Sequence, residues 1–150
     1  MQYTEQVNRA LKYAKQTSKQ CGQSYIGSEH LLMGLMKEES GMASAILKEC
    51  KVDESKLMEL IQELIAPEGM LADKVSFGYS PRALEILAQG EEEAVFFGQD
   101  KMGTEHLLLA ILKDVDCVAT RLLHTMGIQV QKVFMSVLEC LGLEESRYKE

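Results

Sequence analysis

At 150 residues, with 46% hydrophobic and 26% charged side chains, the chain has the length of one domain or of two small units sharing a core. A formal net charge of −7, with the basic residues scattered among acids, excludes a broad nucleic-acid surface, which needs clustered Lys and Arg. No apolar run approaches the roughly 18–20 residues of a membrane span, and the N-terminus lacks a signal-peptide core. The expectation is a cytoplasmic protein with neither membrane nor nucleic acid as partner.

A first helix is expected from Thr4 to about Cys21, with Val7, Ala10, Leu11 and Ala14 on its inner face and a stop at Gly22. A second starts at Ser28 and carries Leu31, Leu32 and Leu35. A third covers about 42–50, and a fourth about 53–65 behind Asp53. Residues 67–78, PEGMLADKVSFG, hold a proline and two glycines without helical periodicity and read as a linker. The pattern then resumes. Ser80 caps a helix with Pro81 at its first position, ending before Gly98. Helices at Thr104, at about 116–126 and at about 129–141 follow, the last behind the weaker cap Gln129. Periods near 3.6 dominate and no stretch alternates over six residues, so the fold class is all-α. Cys21, Cys50, Cys117 and Cys140 form no C-x-x-C pair and sit in apolar-periodic segments, reading as small core hydrophobes rather than metal ligands.

The two halves are copies. Residues 25–32 read YIGSEHLL and residues 101–108 read KMGTEHLL, and the same 76-residue offset sets Tyr3 on Tyr79, Thr4 on Ser80 and Gly22-Gln23 on Gly98-Gln99. Over residues 3–66 against 79–142, 14 of 64 ungapped pairs are identical, where composition alone supplies roughly four or five. The implied organisation is a first repeat (1–66), a linker (67–78), a second repeat (79–142) and a charged tail (143–150). Units of this size are marginal alone, so a shared interface is expected.

In the doubled G-[ST]-E-H-L-L the hydroxyl reads as a helix N-cap and the leucines as core. Glu29 and Glu105 then lie in a first turn, where an acid also favours the helix dipole. A carboxylate beside free helix-start N–H groups suits a ligand that is cationic at one end and anionic at the other. His30 and His106 read as buried, hydrogen-bonded structural histidines, and His124 has no counterpart. There is no phosphate-binding G-x-x-x-x-G-K-[ST] loop, no G-x-S-x-G elbow and no H-E-x-x-H helix. Adjacent Glu and His point about 100° apart on a helix. An enzyme is not expected.

The doubled G-[ST]-E-H-L-L, the 76-residue offset and the Y-[TS] helix starts resemble the double Clp-N repeat of Clp-type AAA+ unfoldases, most closely that of bacterial ClpC, over about residues 2–142. The loop after the second helix reads KEESG (37–41) and KDVDC (113–117), where that family often carries R-E-G-E-G. The resemblance implies an eight-helix, pseudo-two-fold domain that docks substrate and adaptor proteins for an ATP-driven unfoldase working with a ClpP-like peptidase. ATP would belong to the parent protein, with no cofactor in this domain and the tail LEESRYKE leading toward the first ATPase module. It also implies binding of phosphorylated arginine at one site per repeat, with Thr4 beside Glu29 and Ser80 beside Glu105. The carboxylate would take the guanidinium, and the hydroxyl and helix-start N–H groups the phosphoryl oxygens. The alternative is an adaptor-docking scaffold in which these glutamates only cap helices.

Overall fold

A computed structural model describes residues 1–64 and 78–142. Eight helices lie among them. In the first repeat they are α1 (Glu5–Gln20), α2 (Ser28–Glu38), α3 (Met42–Glu49) and α4 (Glu54–Leu64). In the second they are α5 (Pro81–Phe96), α6 (Thr104–Lys113), α7 (Val118–Thr125) and α8 (Val130–Cys140). The all-α, twice-four-helix expectation is met, with ends within a residue or two. Nearly all of the expected linker and the charged tail fall outside the described residues; Gly78 is the part that is described.

Local chemistry accounts for the helix ends. Thr4 caps α1 by accepting from the Val7 N–H at 3.2 Å, and Ser80 caps α5 by accepting from the Ala83 N–H at 3.1 Å. Asp53 does the same for α4 through the Lys56 N–H at 3.2 Å. Past α1 and α5 the backbone turns left-handed at Gly22 (φ 73°) and Gly98 (φ 74°), where a side chain would be strained.

The centre of the molecule is α2 and α6. In α2 every residue from Ser28 to Met36 is buried, and in α6 so are Thr104 and His106 through Leu112. A helix apolar nearly all round belongs inside a larger core. Accordingly α2 packs on α1, α3, α4 and α6 and also on α5 and α7, and α6 packs on α5, α7 and α8 and also on α1 and α3. One apolar cluster runs through both repeats, which answers the marginal stability of each alone. Gly34 lets α1 and α2 approach closely, since a Cβ there would stand 2.1 Å from the Ala10 carbonyl oxygen.

Four two-residue strands add an element that the sequence did not indicate. β1 (Gln2–Tyr3) pairs in parallel with β4 (Lys101–Met102), and β2 (Tyr25–Ile26) with β3 (Gly78–Tyr79). Two residues show no alternation, so periodicity could not reveal them. Each pairing joins one repeat to the other. Among the cysteines, Cys21 and Cys117 are buried as expected, whereas Cys50 is half-buried and Cys140 exposed.

Candidate functional site

The crossed strand pairing decides which site residues meet. The Thr4 N–H donates to the Met102 carbonyl at 3.0 Å, which sets the start of α1 against the start of α6. The Ser80 N–H donates to the Ile26 carbonyl at 3.0 Å, which sets the start of α5 against the start of α2. Thr4 therefore stands with Glu105, and Ser80 with Glu29. The within-repeat grouping expected from the sequence, Thr4 with Glu29 and Ser80 with Glu105, is corrected: each corner is built from both repeats.

Every residue of the doubled motif acquires a distinct role. The helix caps are Gly27 and Gly103, not the hydroxyl residues that follow them. At both glycines a Cβ would lie 2.4 Å from a carboxylate oxygen of Glu29 or Glu105, so the missing side chain leaves room for the glutamate folded back over it. The hydroxyls reach across the molecule. Ser28 Oγ accepts from the Ala119 N–H of α7 at 3.0 Å, and Thr104 Oγ1 from the Ala43 N–H of α3 at 3.2 Å. Each hydroxyl thus satisfies an orphan first-turn donor in the opposite repeat. The sequence shows a hydroxyl at a helix start; it does not show that the helix it serves is another one.

The histidines cap their own helices. His30 Nδ1 accepts from the Gly27 N–H at 2.8 Å and His106 Nδ1 from the Gly103 N–H at 2.9 Å, the place a Gln or Glu takes in a capping box. That bond requires an unprotonated Nδ1, which leaves the proton of the neutral ring on Nε2. Burial holds both rings neutral: the His30 pKa is pushed down to about 4, and that of His106 is lowered against the opposing pull of Glu105 and Glu93. Neither ring has the geometry of a catalytic base serving its neighbouring glutamate.

The two corners differ in access. At the first, Thr4, Gln6, Lys101, Gly103, Glu105 and His106 help line an open cleft of about 380 Å³, also bordered by the start of α3. Glu105 is half-buried, and Lys101 beside it is exposed. At the second, the position of Lys101 is taken by Tyr25. Its hydroxyl lies 3.3 Å from Glu29 Oε2, its ring meets the space above Gly27, and Glu29 keeps 1% of its surface exposed. Desolvation raises the Glu29 pKa, while its own backbone N–H and the Tyr25 hydroxyl pull the other way. At this corner the helix-start N–H is engaged by the glutamate itself. In the first turn of α5 the N–H left for an anion is that of Arg82, since Pro81 has none and that of Ala83 is taken by Ser80, whereas α1 leaves those of both Glu5 and Gln6 at the other corner.

Among the described residues no cluster of His, Cys, Asp and Glu could hold a metal ion, and no helix is long and apolar enough to cross a membrane.

An eight-helix pair of repeats, joined by crossed two-residue strands and carrying mirrored carboxylate-and-helix-start corners, defines a tandem all-α repeat architecture. The chain belongs to the Clp repeat N-terminal domain family, whose model matches residues 2–74 and again 78–149. It is 33% identical over 147 residues to the ATP-dependent Clp protease ATP-binding subunit ClpC of Staphylococcus aureus, and 31% identical over 145 residues to the chaperone protein ClpB of Oceanobacillus iheyensis. Each alignment covers 97% of this chain, and the chain spans 18% of each relative. The fold is that of the N-terminal domain of ClpD from Arabidopsis thaliana, at a TM-score of 0.76 and 19% identity over 93% of this chain and 97% of that one. The N-terminal domain of Hsp104 from Candida albicans is equally similar, at a TM-score of 0.76 and 15% identity over 95% and 93%.

Proposed function

We propose that this domain docks substrate and adaptor proteins for an ATP-driven protein unfoldase, and that phosphorylated arginine side chains are among the marks it takes. ATP hydrolysis and contact with a ClpP-like peptidase would belong to other parts of such an assembly. The observation that carries the proposal is the Thr4/Glu105 corner: a carboxylate and a capped helix start share one open cleft of about 380 Å³. A phosphoarginine has a guanidinium at one end and a phosphoryl group at the other. Glu105 suits the guanidinium, since a carboxylate would repel the phosphate. The first-turn N–H groups of α1 and the Thr4 hydroxyl suit the phosphoryl oxygens. Ser80 and Glu29 supply the same chemical pair at the second corner.

Titration calorimetry of the chain with free phosphoarginine tests this reading, with arginine and inorganic phosphate as controls. Binding of phosphoarginine alone, lost in Glu105→Gln, is the expected result. The absence of heat at millimolar ligand sinks it. That outcome would leave protein docking without the mark, a reading favoured by the adjacent exposed side chains Val95 (65%) and Phe96 (52%) at the end of α5.

A further inference from the structure

The two corners share a glutamate and a hydroxyl-capped helix start yet differ in steric cover, most directly at one pair of positions. Tyr25 and Lys101 occupy the same place 76 residues apart, four residues before each glutamate. A Cβ built on Gly27 would meet Tyr25 Cε2 at 2.9 Å as well as Glu29, whereas the three nearest atoms at Gly103 all belong to Glu105. The Tyr25 ring also packs on His30, with centroids 5.6 Å apart. The ring thus covers the hollow into which Glu29 folds, and its hydroxyl hydrogen-bonds that carboxylate. Gln23 and Ser24 are buried at this corner, at 3% exposure each, while their counterparts Gln99 and Asp100 are exposed.

We infer that Tyr25 is a lid on the Ser80/Glu29 corner, so that the domain presents one open site, Thr4/Glu105, and one gated site. The inference rests on the phosphoarginine reading and adds to it a stoichiometry and the residue that sets it. A guanidinium approaching Glu29 must displace the Tyr25 ring and break its hydroxyl bond. One approaching Glu105 meets the exposed side chain of Lys101. Lys101 brings a positive charge that opposes the guanidinium but attracts the phosphoryl group, so the open corner favours the phosphorylated side chain over plain arginine.

Calorimetry of the 150-residue chain with free phosphoarginine reads the stoichiometry directly. One site per chain is expected, rising to two in Tyr25→Ala, with the gained site removed again in Tyr25→Ala/Glu29→Gln. Tyr25→Lys, which copies the residue at the open corner, provides a second route should the alanine variant fail to fold, as followed by helical circular dichroism. The reverse exchange, Lys101→Tyr, should weaken the open site tenfold or more. Two equivalent sites in the unaltered chain overturn the lid while leaving phosphoarginine recognition intact. A single site in both folded Tyr25 variants does the same. No binding by the unaltered chain or by either variant overturns the recognition reading and the lid with it.

Discussion

The corner at Glu29 and the corner at Glu105 began as the same stretch of sequence, and they now hold their carboxylates in different environments. At Glu105 the acid is half-buried in an open cleft with a lysine at the rim. At Glu29 the acid is covered by a tyrosine. The scaffold beneath them has scarcely diverged: the glycine caps, the crossed hydroxyls and the capping histidines are the same in both. Folding therefore constrains four positions of the motif, glycine, hydroxyl, histidine and the first leucine, through bonds and packing inside the core. It leaves the residue four before the glutamate at the rim, free to become either Tyr or Lys.

The shared scaffold should be the most sensitive to mutation. Removing both crossed hydroxyls with Ser28→Ala and Thr104→Ala strands a buried N–H at the start of α7 and of α3, and severs two polar links between repeats. The expected loss is about 3–4 kcal/mol for the pair, measured by urea unfolding. A loss below about 1 kcal/mol would mean that these hydroxyls do not bind the repeats together.

Acid should act next, and unequally on the two copies. The His30 pKa lies at about 4 in the folded chain, below the unfolded value near 6.5, so the unfolded state takes up a proton that the native state refuses. The stabilisation is complete above about 6.5, falls as pH drops through that window, and is gone below about 4. Its size is at most about 3.5 kcal/mol at roughly 1.4 kcal/mol per pKa unit. Gln in place of His can still accept from the N-cap N–H. His30→Gln should therefore flatten the acid side of the stability profile, and His106→Gln should flatten it less, because Glu105 and Glu93 already favour the charged ring there.

How much of this could be read from the residues differs by scale. Helices, stops and the duplication were legible because they rest on 3.6-residue periodicity, on hydroxyl or Asp caps such as Thr4, Ser80 and Asp53, and on left-handed glycines. The caps at Gly27 and Gly103 were not. A hydroxyl next to a glycine at a helix start looks like the cap, and only the fold shows Ser28 and Thr104 turned toward the opposite repeat. That Thr4 stands with Glu105 and Ser80 with Glu29 is not legible in the sequence either, because the pairing of two-residue strands has no local signature. The lid was equally hidden: Tyr25 beside Lys101 is one mismatch among fifty, until the ring is seen over Gly27.

The comparison can be sharpened at the ligand. Glu105→Gln keeps the shape of the side chain and removes its charge, so the bond to a guanidinium loses its charge assistance. A loss of at least tenfold in phosphoarginine affinity, about 1.4 kcal/mol, is expected by calorimetry, with helical content unchanged. An unaltered isotherm would show that Glu105 does not hold the guanidinium and that the cleft reads the mark through other groups.

The smallest effect falls on stability at the covered corner, and its sign is informative. Burial raises the Glu29 pKa above its unfolded value, so the native state binds a proton more readily than the unfolded chain does. The associated stabilisation is present at low pH and lost as pH rises through the folded value, which makes the ionised carboxylate a cost at neutral pH. Glu29→Gln removes that charge while keeping an oxygen for the Tyr25 hydroxyl and the backbone N–H. At pH 7 it should raise stability by less than about 1 kcal/mol, and Glu105→Gln, at a half-open position, should change stability less. Thermal unfolding of the two variants side by side provides the check. If Glu29→Gln instead destabilised the chain by more than 1 kcal/mol, the carboxylate would be bonded more strongly than its neighbours indicate. Covering it with Tyr25 would then serve the fold rather than restrict a site.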